Sequence, residues 1–213
     1  MMKTANTRLG AAMAFALCTG LCGPLTTSAK AEVALLFQPG VPPIEFAARE
    51  MRLALAAKGE SVVQRNLADL AQATNQVCIV LAASADEVRA VSAARRLADF
   101  KAASAQSYSL RKQNTNAQTL YAVLAADAVG AMYGGLDVAE AIRLGTLAEL
   151  RDADHAPFIE RRGIKFNIPL DARTPSYSDA GDAAQQNIAE MWSMEFWREF
   201  LDEMARNRFN VLT

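Results

Sequence analysis

The sequence predicts an α/β fold: a mixed-sheet sandwich (α+β in character) followed by a β-α-β unit. Three observations carry it. Short, almost wholly apolar runs (Val33–Phe37, Val77–Leu81) alternate with segments of helical period, the pattern of buried strands covered by helices. Two alternating segments joined by polar Gln113–Gln118 imply at least one antiparallel pair. The last stretch reads strand, amphipathic helix, strand, which is the opening of something larger.

The composition fits a folded chain of one large or two small domains. Of 213 residues, 52% are hydrophobic and 21% charged, which excludes a mainly disordered protein. The near balance of 22 basic and 23 acidic residues speaks against a nucleic-acid binder, which carries a basic stripe. Residues 1–31 hold Lys3, Arg8 and Lys30 and no acid, an apolar run from Leu9 to Leu21, and a closing Ala29-Lys30-Ala31. Those are the three parts of a secretory signal peptide, and the run is shorter than the roughly 20 residues of a membrane span. The expectation is an exported protein, periplasmic or secreted, with no membrane attachment once 1–31 is removed. Without that segment the chain is acidic by about four charges and keeps one cysteine, Cys78, inside an apolar strand where it fills core.

Each element has its own signal. Val33–Phe37 is a strand ended by Pro39, Gly40, Pro42 and Pro43. Ile44–Lys58 is a helix with apolar residues at 44, 47, 51, 54 and 55, stopped by Gly59. Ser61–Arg65 and Val77–Leu81 are strands. Ser84 with Glu87 three residues on forms a capping box, opening a helix expected to reach about Phe100. Ser107–Lys112 and Thr119–Leu124 form a hairpin. Ala126–Leu144 is a helix with Asp127 near its start and Gly145 at its end. These make an α/β domain over 32–150. In 151–213, Arg151–Ala156 reads as a polar connector, Ile164–Leu170 as a strand, and Asp171–Ala183 as a turn-rich loop. Ser193 caps a helix with Met194, Trp197, Leu201 and Met204 on one stripe, and Phe209–Thr213 is a strand.

Few residues carry a chemical signal. Gly130, Gly134 and Gly135 are followed by no Lys-Ser/Thr pair, so they read as close helix–sheet packing rather than a phosphate loop. His155 is the one histidine; no zinc set surrounds it, and in its polar connector it reads as solvated. Arg161 and Arg162 precede a strand, as surface charge or as donors to a polar ligand. Asp171, Arg173, Asp179 and Asp182 follow that strand, where acid–base groups could sit but caps and turns are the plainer reading. Trp197 reads as core. Trp192 reads as core too, with a sugar-stacking platform as the sharper alternative. No cofactor or metal site is expected.

Three stretches together resemble a known arrangement. Ala125–Gly135, with its Tyr133-Gly134 pair, resembles the helix of the small α/β domain that precedes the barrel in family-20 β-N-acetylhexosaminidases and family-67 α-glucuronidases. Pro157–Leu170, with Arg161-Arg162-Gly163, resembles the Arg-Gly that opens barrel strand one in those hexosaminidases. Phe196–Thr213 resembles their first barrel helix running into strand two. The resemblance implies the accessory domain and the start, over 151–213, of a truncated (β/α)8 barrel in an exported, exo-acting glycoside hydrolase. The partner it implies is the terminal sugar of an oligo- or polysaccharide, with Arg162 as the residue that binds it. The family's catalytic Asp-Glu pair has no counterpart here, so the chain alone is expected to be inactive. The alternative is a small exported carbohydrate- or partner-binding module.

Overall fold

A computed structural model describes residues 32–101, 104–165 and 192–213. The proposed signal segment, most of the strand expected at 164–170, and Asp171, Arg173, Asp179 and Asp182 lie outside the described residues.

A six-stranded mixed sheet forms the centre. Its strands are β1 (Val33–Phe37), β2 (Val62–Asn66), β3 (Val77–Ala82), β4 (Tyr108–Asn114), β5 (Thr119–Ala125) and β6 (Ala153–His155), in the order β2-β1-β3-β5-β4-β6. The first four in that order are parallel; β4 is antiparallel to both β5 and β6. Helices α1 (Pro42–Ala57) and α3 (Ala128–Leu144) cover one face, and α2 (Ala85–Arg95) with the 3-10 turn Leu67–Gln72 covers the other.

Alternation along each strand assigns its side chains. Leu35, Phe37, Ile79, Leu81 and Val123 join α1 and α3, while Leu36, Cys78, Val80, Leu120 and Leu124 join α2 and the 3-10 turn. Burial on both faces is why β1 and β3 read as continuous apolar runs. Cys78 is fully buried, as expected of core filler.

The glycines of α3 set how close that helix lies. A Cβ at Gly130 would collide with the Ser107 carbonyl oxygen, one at Gly134 with Val123 and Tyr108, and one at Gly135 would stand 2.8 Å from the Ala47 Cβ of α1. Asp127 caps α3 by accepting from Gly130 N at 2.7 Å. Gly145, at φ +76, closes it in the left-handed region.

Two expectations are corrected here. The second helix stops at Arg95, not near Phe100: Arg96 turns into the left-handed region at φ 50, and the Leu97 N–H bonds back to the Ser92 carbonyl. The polar segment Arg151–Ala156 is not merely a connector, because Ala153–His155 forms β6 on the edge of the sheet. Its anchor is Arg111, only 6% exposed, which donates to the Asp154 carboxylate at 2.6 Å and the Ala153 carbonyl at 3.1 Å. A polar sequence thus becomes a strand through one buried guanidinium.

Beyond the sheet, β7 (Gly163–Ile164) pairs in parallel with β8 (Val211–Leu212), and α4 (Met194–Arg206) lies between them in the chain. Ser193 caps α4, accepting from Phe196 N. Met204 is the one described α4 residue that is buried. Trp197, expected in the core, is half-buried against Phe196 and Phe200, and Trp192 is 67% exposed.

Candidate functional site

The joint between the sheet and the β7–α4–β8 unit is built around Gln106. This residue precedes β4 and holds φ +63, a strained backbone for a side chain with a Cβ. Asp127 fixes it by accepting from Gln106 N at 2.8 Å. The Gln106 side chain then accepts from Arg162 Nη2 at 2.8 Å and Asn210 Nδ2 at 3.2 Å, and donates to the Glu160 carbonyl at 3.2 Å. One side-chain amide therefore ties the segment before β4 to those before β7 and β8.

Arg162 stands where its chain enters β7. Its Nε donates to the Arg208 carbonyl at 2.8 Å, its Nη1 to the carbonyls of Ile159 and Glu160, and its Nη2 to Gln106. The guanidinium also lies 5.4 Å from the centre of the Tyr133 ring, and that of Arg208 lies 5.9 Å from it, within cation–π range. Arg208 pairs with Asp137, which also accepts from the Tyr108 hydroxyl. Burial, with the Asp137 charge and that hydrogen bond, pushes the Tyr108 phenol far above its ordinary range, so it stays a donor.

These side chains wall a cleft of about 380 Å³, within the roughly 300–1,000 Å³ range of small-ligand sites. Gln106, Tyr108, Tyr133, Arg162 and Arg208 line it on one side of the joint, and His155 to Ile159 complete it. His155 is exposed, as expected of it, but it is not merely solvated: it stacks on Tyr108, with ring centres 4.8 Å apart at 17°. Phe158 is fully exposed and Ile159 is 58% exposed. Among the described residues, none that lines the cleft is an Asp or Glu. A larger hollow of about 800 Å³ beside α2 has Arg89 in its lining, but that arginine is highly exposed and already paired with Asp86.

Sequence reasoning singled out Arg162 and His155, and the structure brings both to this cleft. It missed Gln106, Asp137 and Arg208, whose roles depend on contacts across long sequence separations. Tyr133 was visible only as half of the Tyr-Gly pair. The tryptophans considered for sugar stacking are not in the cleft lining. No group of three or more His, Cys, Asp or Glu among the described residues could hold a metal ion. No described helix is long and apolar enough to cross a membrane.

No protein-family model and no curated protein matches the sequence. Among solved structures, the chain is similar to a GH138 enzyme targeting pectin rhamnogalacturonan II. The TM-score is 0.56 and the identity 19%, over 85% of this chain and 23% of that one. At that identity the likeness is one of fold. The α/β architecture is thus one found in a glycoside hydrolase, of a family other than the two that the sequence resembles. The chain spans under a quarter of that enzyme's length.

Proposed function

We propose that this chain is the accessory α/β unit and opening β-α-β unit of an exported, exo-acting glycoside hydrolase with a (β/α)8 catalytic barrel. In this reading it helps to position the terminal sugar of a saccharide, through Arg162, and leaves bond cleavage to carboxyl groups outside it. The observation that carries the reading is the cleft at the joint, rich in aromatic rings and guanidinium donors and, among the described residues, lined by no carboxylate. Glycoside cleavage typically needs two carboxyl groups about 5–10 Å apart across the bond. Paired guanidinium donors and exposed rings suit sugar hydroxyls and ring faces instead. The fold likeness to an enzyme that targets a pectic polysaccharide supports a carbohydrate role, and the parallel β7–β8 pair separated by α4 supports a barrel-type unit. Export rests on the composition of residues 1–31.

A second reading, a small exported carbohydrate-binding module, is favoured by one observation. The terminal unit packs back on the first domain through Arg206–Glu50 and Arg208–Asp137. Assaying the protein encoded by the complete reading frame that carries this chain, on a panel of aryl glycosides and pectic oligosaccharides, separates the two. Turnover of at least one substrate is expected; binding without turnover of any would leave the module reading in its place.

A further inference from the structure

The unit carrying β7, α4 and β8 meets the sheet domain through carboxylates and guanidinium groups. Glu50 of α1, 1% exposed, accepts from Arg206 Nε and Nη2 beside it at 3.1 and 3.0 Å, and from Arg143 of α3. Arg49, next to Glu50 on α1, stands 3.7 Å from its carboxylate and donates to Asp202 of α4 at 2.6 Å. Two residues past α4, Arg208 pairs with Asp137 of α3, which also accepts from the Tyr108 hydroxyl. Arg208 occupies a position that suits glycine. The Phe209 N–H bonds to the Met204 carbonyl at 2.8 Å and the Arg208 N–H to that of Ala205 at 3.0 Å. That double closure sets residue 208 in the left-handed region, here at φ +63. A side chain there carries a backbone cost that glycine avoids. The Asp137 pair and the Tyr133 ring, 5.9 Å from the guanidinium, offset it.

We propose that these ion pairs form an acid-sensitive latch: protonation of the carboxylates lets the β7–α4–β8 unit leave the sheet domain while the sheet stays folded. Only the carboxylate side of each pair titrates, because a guanidinium keeps its charge. The charged groups facing Glu50 are Arg143 of α3, Arg206 of α4 and Arg49 of its own helix, and Glu203 shares Arg206. Those facing Asp137 are Arg208 and the Tyr108 hydroxyl. Burial pushes the Glu50 carboxyl up, but the hydrogen bonds and charges of Arg206 and Arg143 outweigh it and hold the group below the ordinary 4.5. Its contribution to docking is therefore present above that value and lost as pH falls through the folded one. Opening dismantles the cleft, since Arg162 and Arg208 leave with the unit while Gln106, Tyr108 and Tyr133 stay with the sheet. A ligand held there is bound at neutral pH and released in acid, whatever its class.

The test is hydrogen exchange of the 213-residue chain between pH 7 and pH 3, each amide corrected for its intrinsic rate. Protection across Met194–Arg206 and Val211–Leu212 is expected to fall by at least about tenfold before that of Val33–Phe37 and Val77–Ala82 changes, as local opening precedes global unfolding. Glu50→Gln is expected to show part of that loss already at pH 7 and a flatter pH dependence. Arg206→Met leaves Glu50 its Arg143 partner. It is expected to release α4 at pH 7 with the sheet still protected, and it decides the matter if Glu50→Gln unfolds the sheet. Loss of protection by α4 and the sheet in one transition, equal protection of α4 at pH 3 and pH 7, or parental protection of α4 in Arg206→Met would overturn the proposal. The readout involves no ligand, so failure here leaves the saccharide reading standing.

Discussion

At the scale of single residues, Glu50 carries the heaviest electrostatic load. It is 1% exposed on α1, yet accepts from Arg143 at 2.5 Å and from Arg206 at 3.0 and 3.1 Å. Burial alone would raise its carboxyl pKa; the hydrogen bonds and charges of Arg206 and Arg143 outweigh burial and hold it below the ordinary 4.5. A carboxylate depressed in the folded state contributes stability that is present above its unfolded value. That stability is lost as pH falls through the folded value. The thermal midpoint is therefore expected to drop as pH falls below about 4.5, and to drop less steeply in Glu50→Gln. At pH 7 the same variant is expected to lose about 2–3 kcal/mol, since hydrogen bonds to a charged group disappear. Calorimetry across pH 3–7 checks both. A variant with the parent's midpoint and pH profile would show that Glu50 is not the link described.

At the scale of elements, two contrasts matter. Helix α3 docks through glycine contacts that leave no room. Gly130 faces the backbone carbonyl of Ser107, which cannot swing aside as a side-chain tip could. Gly130→Ala is expected to cost about 1–3 kcal/mol by overpacking, or several degrees in a chain of this size. Helix α4 docks by charge instead. Arg49 meets Asp202 at 2.6 Å and Arg206 meets Glu50 at 3.0 Å, while Met204 is its one buried described residue. At about 1 M salt the screening length falls to roughly 3 Å. Hydrogen exchange across 194–206 is expected to speed up there, with Val77–Ala82 unchanged. Equal protection of α4 at low and high salt would contradict a charge-held joint.

The elements were legible in the sequence where a local rule decides them. Gly59 and Gly145 stop α1 and α3, Ser84 and Ser193 cap α2 and α4, and two-faced burial explains the apolar strands. The rules failed where a partner far along the chain decides. Strand β6 forms because buried Arg111 reaches Ala153 and Asp154, which no periodicity in Arg151–Ala156, four of whose six residues are polar, announces. Trp197 sits on an amphipathic stripe, and the stripe identifies the helix without telling what it packs on. Arg162 was singled out beside Gly163, but the cleft that gives it meaning needs Gln106, Tyr133 and Arg208 from three other segments.

At the scale of the whole molecule, an open six-stranded sheet packed on both faces is joined to a small polar-docked unit, with the cleft at the seam. The fold is shared with a glycoside hydrolase of which it matches 23%. Among the described residues, the cleft is lined by donors and rings but no carboxylate. In the function proposed above, this chain positions a saccharide without cleaving it. The most direct measurement is release of reducing ends from pectic oligosaccharides and aryl glycosides by the purified 213-residue chain alone, against a heat-denatured control. No release above that control is expected at any pH between 4 and 8. Turnover that survives repurification would contradict it and place the catalytic carboxyl groups within this chain.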